Sequence, residues 1–152
     1  WNTVEVLEII CGSDLSEAFE ISSVDTEPVP GMIVSIDPEH AGALSVSTKA
    51  YDRQVAGIIS GAGGVQPGMR MGQKGTLASG DTPIALTGRV YAWTVAIETP
   101  VRPGDLLTTS EVAGHAMKVT DYASSQGAIL GKAMSGLDAG ERGLVLVLVS
   151  LQ

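Results

Sequence analysis

Aromatic side chains, cysteine and histidine are scarce in this sequence of 152 residues. Aromatic residues make up 4% of the chain, and it contains one cysteine and two histidines. A single cysteine cannot form a disulfide within the chain, and with two histidines it does not supply the four ligands of a structural zinc site. We therefore expect neither a metal nor a cofactor. The core must be built from valine, isoleucine, leucine and alanine.

Positive charge and long apolar runs are also lacking. Nine Lys and Arg residues stand against 17 Asp and Glu residues, for a formal net charge of −8. Nucleic-acid binding needs clustered positive charge, and a membrane-spanning helix needs about 20 apolar residues in a row. The apolar segment 143–151 is far shorter and predicts a strand buried on both faces. We expect no nucleic-acid partner and no membrane insertion.

Glycine and proline are plentiful, and they divide the chain into short apolar segments. The 19 glycines and seven prolines give turn signals at a spacing of roughly 8–12 residues, which is typical of all-β sandwiches and barrels. We predict one compact all-β domain over residues 1–152. One short N-terminal helix is predicted over residues 13–19, with Ser13 and Asp14 as caps and Glu17 near the capping-box position. A second helical turn is predicted at 123–126.

The sequence contains an internal repeat, with copies at 28–60 and 101–134. Pro30 and Gly31 begin the first copy, and a Pro-Gly pair ending at Gly104 takes the same place 73 residues later. Proline fixes φ at the second position of a turn, and the following glycine supplies the positive φ of type II. A later strand ends at Gly57 in the first copy and at Gly131 in the second. We predict two similar hairpin units that pack about a pseudo-twofold axis.

Segment 89–97 is apolar on both sides of the strand that it predicts. Alternation places one set of side chains on the first face: Val90, Ala92, Thr94 and Ala96. It places the other set on the second face: Arg89, Tyr91, Trp93, Val95 and Ile97. The first face suits a domain core. The second predicts a subunit interface formed by Tyr91, Trp93, Val95 and Ile97.

Candidate ligand-binding residues lie in the loops between the second and third strands of each copy. Tyr51 and Tyr122 occupy matching loops, where their rings can stack on a sugar, and Asp52 and Arg53 next to Tyr51 can form an ion pair that closes the loop. Packing in the core is the alternative for both tyrosines. We take Tyr51, Asp52, Arg53 and Tyr122 as the candidate ligand-binding set.

Residues suited to catalysis are few. Cys11, His40 and His115 are the only ones available for a thiol–imidazole pair, and Asp37 and Glu39 are neighbouring carboxylates. Cys11 ends an apolar strand, where a small buried side chain is the ordinary interpretation. The two histidines lie in turns that we predict to be exposed, and the carboxylates flank a proline. We expect no catalytic residue and no metal site.

Several segments resemble the distal domains of phage tail fibres and related bacterial surface proteins. They are 12–19, 29–34, 51–60, 103–110 and 114–118, and the strand at 103–107 also resembles β-clip domains. The resemblance implies a β-clip-like barrel in a homotrimeric structural or adhesive protein, in some relatives next to a self-cleaving chaperone segment. It carries no catalytic residue to this chain.

We therefore expect a non-enzymatic structural or receptor-binding module of a trimeric fibre or surface protein. It would lie on a virion or an extracellular surface, where a glycan or a cell-surface receptor is a possible partner. The chain begins at Trp1 without a leader, so we expect it to be a piece of a longer polypeptide. The alternatives are a carbohydrate-binding domain and a self-processing or hydrolytic enzyme domain.

Overall fold

A computed structural model of the protein describes residues 8–9, 12–22 and 25–152. Strands predominate in this part of the chain, as predicted. They are β1 (Glu8–Ile9), β2 (Asp14–Phe19), β3 (Ile33–Ile36), β4 (Leu44–Val46), β5 (Val55–Ile59), β6 (Met69–Met71), β7 (Thr82–Val95), β8 (Leu106–Thr109), β9 (Ala116–Lys118), β10 (Ile129–Ala133) and β11 (Arg142–Ser150). A 3-10 turn covers Ala62–Gly64, and one α-helix, α1, covers Tyr122–Ser125. Within the described ranges, no helix is long and apolar enough to cross a membrane.

The helix predicted over residues 13–19 is wrong, because this segment is strand β2. Its burial alternates, with Asp14, Ser16 and Ala18 buried and the residues between them half-buried. β2 pairs antiparallel with β7 on one edge and parallel with β6 on the other. A helix of two turns is marginal alone, whereas pairing on both edges satisfies the strand backbone. The short helix of the described chain is α1, at the second helical turn that the sequence predicted.

Five strands form a closed β-barrel, which confirms the predicted all-β class. β7 pairs antiparallel with β11, β11 with β10, β10 with β8 and β8 with β9. A parallel bridge between Ala116 of β9 and Thr94 of β7 closes the circle. Val90, Leu130 and Val147 are buried in the core that fills it. The barrel thus needs both the C-terminal strand β11 and the long central strand β7.

The two copies of the repeat fold into the same three-stranded unit. β3 pairs with β4 and β5 in the first copy, as β8 pairs with β9 and β10 in the second. The N–H of Gly31 donates to the carbonyl of Ile59 at 2.8 Å, and the N–H of Gly104 donates to the carbonyl of Ala133 at 2.8 Å. Gly31 and Gly104 have φ values of 91° and 94°, as their turns require. The repeated residues therefore make repeated hydrogen bonds.

A second ring of strands forms around the first copy, and we call it the first ring. β2, β7, β5, β3 and β4 follow one another in it, and a parallel bridge between Ile21 and Leu44 closes it. This bridge matches the one between Thr94 and Ala116 in the barrel. β7 is shared, because its first half pairs in the first ring and its second half in the barrel.

Two apolar clusters hold the described part of the molecule together. The smaller one fills the first ring and contains Val34, Leu44, Ile59 and Ile84. The larger one fills the barrel but also takes in three residues of the first ring. These are Ile33, Ile58 and Ala85, each with no exposed surface. Because the barrel core includes residues of the first ring, the two parts pack as one body.

The predicted C-terminal strand is present as β11, but only one of its faces is buried. Val145, Val147 and Val149 point into the barrel core. On the other face Leu146 is half-buried and Leu148 is 45% exposed. Burial on both faces is therefore wrong for the single chain, because no second layer in the described part of the chain covers the outside of β11 at Leu148.

Candidate functional site

Tyr51 joins the loops of the two repeat copies. Its hydroxyl oxygen accepts hydrogen bonds from the backbone N–H groups of Thr120 at 3.1 Å and Asp121 at 2.9 Å. Its backbone has φ 52°, the only positive value outside glycine in the described part of the chain. A non-glycine residue adopts this conformation at a cost that surrounding contacts must offset. We infer that Tyr51 holds the two loops in place.

The same hydrogen bonds change the acidity of Tyr51. Burial acts to raise the pKa of the hydroxyl and is the largest single influence. The Thr120 hydroxyl and the N–H groups of Asp121 and Thr120 together outweigh it, and the pKa is lowered. Because this oxygen is already bound to the loop backbone, it is less available to a ligand than the exposed hydroxyl of a loop tyrosine.

The other predicted ligand-binding residues surround this junction. The N–H of Asp52 donates to the Thr109 hydroxyl at 2.8 Å, and its carboxylate accepts from the N–H of Gln54 at 3.0 Å. No ion pair joins Asp52 to Arg53, both of which the structure describes, so Asp52 instead shapes the turn. Arg53 is exposed, and Tyr122 is 69% exposed. Tyr122 and Arg53 are thus the members of the set that face solvent.

Helix α1 presents Tyr122 at its first position. Asp121 caps the helix by accepting from the N–H of Ser124 at 3.2 Å and from its hydroxyl at 2.6 Å. The hydroxyl of Ser124 is the main cause that lowers the pKa of Asp121. A carboxylate that accepts at a helix start stabilises the turn that follows. The position of Tyr122 is therefore fixed from both sides, by this cap and by the Tyr51 hydrogen bonds.

Asp37 anchors the turn between β3 and β4. Its carboxylate accepts from the hydroxyl of Ser22 and from the N–H of Glu39 at 2.8 Å, and His40 Nδ1 lies 2.9 Å away. These donors, Ser22 foremost, lower the pKa of Asp37 to about 2. The carboxylate sits between the serine and the histidine, so the histidine is not placed to take the serine proton. The group fixes a turn that the sequence showed only as a pair of carboxylates beside a proline.

His115 is buried, so its predicted exposure is wrong. It is 2% exposed, and its Nδ1 lies 2.7 Å from the carbonyl of Ala113, while Nε2 lies 2.7 Å from Nε of Arg142. The carbonyl only accepts and the guanidinium only donates, which fixes a neutral imidazole protonated on Nδ1. Burial is the main cause that lowers the pKa of His115. In the repeat, His115 takes the position of Ala43 in the first copy. The sequence gave no signal that His115 would contact Arg142, which is distant in the chain.

The candidate thiol–imidazole residues are Cys11, His40 and His115. Cys11 lies outside the described residues, and its predicted place at the end of an apolar strand does too. His40 is exposed on the Asp37 turn, whereas His115 is buried against Arg142. In the ranges that are described, no three His, Cys, Asp or Glu side chains are grouped so that they would hold a metal ion.

Two of the predicted interface residues lie partly beneath loops of their own chain. A Cβ on Gly63 would come within 2.5 Å of the Tyr91 ring, and one on Gly31 within 3.1 Å of the Trp93 ring. Val95 is 8% exposed and Ile97 is 63% exposed. Of the four residues, only Ile97 is largely open to solvent in the single chain.

Two clefts occupy matching places in the two halves of the molecule. One, of about 320 Å³, lies between Val95 and Lys118, and the other, of about 230 Å³, lies between Ser22 and Val46. Each cleft opens next to a parallel bridge, where the two bridged strands separate. The bridges are Thr94–Ala116 for the first cleft and Ile21–Leu44 for the second. Both clefts follow from the repeated strand geometry, and Asp37 and His40 are among the residues that line the second. A separate cleft of about 580 Å³ is lined by residues 70–74 and 79–81.

The geometry places this chain among compact all-β proteins with a closed five-stranded barrel. No family model matches the chain, and no curated protein matches it. The resemblance to tail-fibre and surface-protein domains thus stays a prediction.

Proposed function

We propose that this chain is a structural or receptor-binding module, without catalytic activity of its own, that assembles as a homotrimer in a fibre or surface protein. The observation that carries the proposal is a group of apolar residues on the outer face of β11 and at the end of β10, next to the exposed Lys132. Met134, which follows β10, is 44% exposed, Leu148 is 45% exposed, and Leu146 between them is half-buried. Burial of such a face gains about 25 cal/mol for each Å² of apolar surface removed from water. A second copy of the chain would provide that cover.

The polar groups also favour a scaffold over a hydrolase. Asp37, His115 and Tyr51 each bind the chain's own backbone or a neighbouring side chain. These bonds fix turns between strands. None of these three described side chains is a nucleophile placed next to a base. We also propose a virion or extracellular location, because the segments that resemble tail-fibre domains imply one.

The mass of the native protein tests the assembly. We expect native mass spectrometry and light scattering after size exclusion, at micromolar concentration, to give three times the 15.6 kDa mass of the chain. A stable monomer under these conditions would remove the basis of the proposal. Dilution into the nanomolar range serves as the control, because a specific assembly should dissociate over a defined concentration range.

Glycan binding at the loop junction is a second candidate, favoured by the exposure of Tyr122 and Arg53. An exposed ring on a backbone that its neighbours fix suits stacking on a sugar. A glycan array tests it: we expect Tyr122→Ala to lose the bound glycans and Tyr122→Phe, which keeps the ring, to retain them. Equal binding by all three proteins would contradict this site.

A further inference from the structure

Matching registers identify equivalent positions on the outer faces of the first ring and the barrel. The inner row runs across β3, β5 and β7, and consists of Ile33, Ile58 and Ala85. The outer row runs across β8, β10 and β11, and consists of Leu106, Lys132 and Leu148. Each member of one row has strand partners equivalent to those of its counterpart in the other.

The two rows differ in burial, although Leu106 of the outer row is half-buried. The inner row has no exposed surface, because it packs into the core cluster of the barrel. In the outer row Lys132 is exposed and Leu148 is 45% exposed. A twofold contact would bury equivalent positions equally, whereas a head-to-tail contact leaves one of each pair free. The predicted pseudo-twofold packing is therefore wrong, and the two halves pack head to tail.

A complementary surface is left free on the first ring. In the barrel, Ala92, Leu130 and Val149 are at most 2% exposed and share a cluster with the inner row. Their counterparts in the first ring are only half-buried, and we call them the open end: Phe19, Ala56 and Leu86. The first ring thus lacks the cover that the inner row gives the barrel.

The charges on these two free surfaces are of opposite sign. Lys132 of the outer row takes the position of Ile58, and Glu17, beside the open end on β2, takes the position of Val90. Ile58 and Val90 belong to one buried cluster inside the chain. Neither Lys132 nor Glu17 has an ion-pair partner in the part of the chain that is described. Two positions that are apolar and belong to one cluster within the chain thus carry opposite charges on the surfaces that would meet between chains.

We propose that the outer row of one copy docks on the open end of a second copy, as the inner row docks on the barrel, with Lys132 next to Glu17. This assignment rests on the proposed self-association and names the surfaces that carry it. Head-to-tail contacts close into a ring when the rotation from copy to copy closes. Three copies would then place six similar strand rings around one axis.

Charge reversal on the complete chain tests the contact. We expect Lys132→Glu and Glu17→Lys each to weaken association by at least about tenfold in Kd, because each brings like charges together. The double variant should recover most of the loss, since it restores the opposite charges in swapped places. Sedimentation over a concentration series gives the Kd, and circular dichroism with thermal unfolding checks the fold.

The matched controls are Lys49→Glu and Glu27→Lys, at exposed positions that belong to neither surface. They make the same charge changes and should leave Kd unchanged. If a reversal at Glu17 or Lys132 prevents folding, Leu148→Asp tests the outer row instead, and it too should weaken association.

The outcomes distinguish this contact, the pairing of Lys132 with Glu17 and the proposed self-association from one another. Loss in both single variants with recovery in the double variant supports the contact. An oligomeric wild type that neither single reversal weakens overturns this contact and leaves the proposed self-association standing. Loss without recovery in the double variant overturns the pairing of Lys132 with Glu17. A monomeric wild type overturns the self-association and this contact together.

Discussion

Replacing Ile58 by alanine tests whether the inner row supports the barrel within one chain. Ile58 has no exposed surface and lies in the larger core cluster. The substitution removes three carbon groups, worth about 0.8 kcal/mol each in transfer from water, or about 2.4 kcal/mol. The cavity left in a packed core adds to this, so we expect the free energy of unfolding to fall by about 3–4 kcal/mol.

Leu148→Ala is the matched variant in the outer row. Since Leu148 is 45% exposed, it loses only part of its transfer free energy, and we expect a loss of about 1 kcal/mol in the dissociated chain. Urea unfolding followed by circular dichroism, at a concentration where the protein is monomeric, gives both values. If Leu148→Ala costs the monomer as much as Ile58→Ala, the outer row is covered within the chain and the distinction between the rows fails.

Two further perturbations probe the loop junction and the buried histidine. Tyr51→Phe should lower the free energy of unfolding by about 1–2 kcal/mol in chemical denaturation, because two backbone N–H groups lose their acceptor. Tyr122→Phe, at an exposed side chain, is the control and should change it by no more than about 0.5 kcal/mol. Equal losses in the two variants would contradict the role of Tyr51. The pKa of His115 in the folded protein is lowered from its ordinary 6.5, so the unfolded chain takes up the proton more readily than the folded one. The contribution of His115 to stability is therefore present above pH 6.5. It is lost as the pH falls from there toward the folded-state pKa. His115→Asn should flatten this part of the stability profile measured between pH 8 and 5, and an unchanged slope would refute the assignment.

Short-range patterns predicted the strands and turns well, and they misjudged one strand and several environments. The Pro-Gly turns at Gly31 and Gly104 and the apolar strands that follow them needed only local information. Residues 13–19 carry a cap-like start, yet pairing of Asp14–Phe19 with β6 and β7 outweighs that local preference. The ion pair expected between Asp52 and Arg53 is replaced by backbone hydrogen bonds to Asp52.

The amino-acid sequence by itself determined the all-β class, the repeated unit and the apolar face of segment 89–97, because these depend on residue types at fixed short spacings. Only the tertiary structure decided that His115 contacts Arg142 and that Tyr51 holds the loop before Tyr122. It also decided that the inner row is buried while Lys132 and Leu148 of the outer row are exposed. Such contacts join residues far apart in the chain. They depend on how the first ring packs against the barrel, and two copies of one local pattern cannot specify which of their equivalent faces is covered.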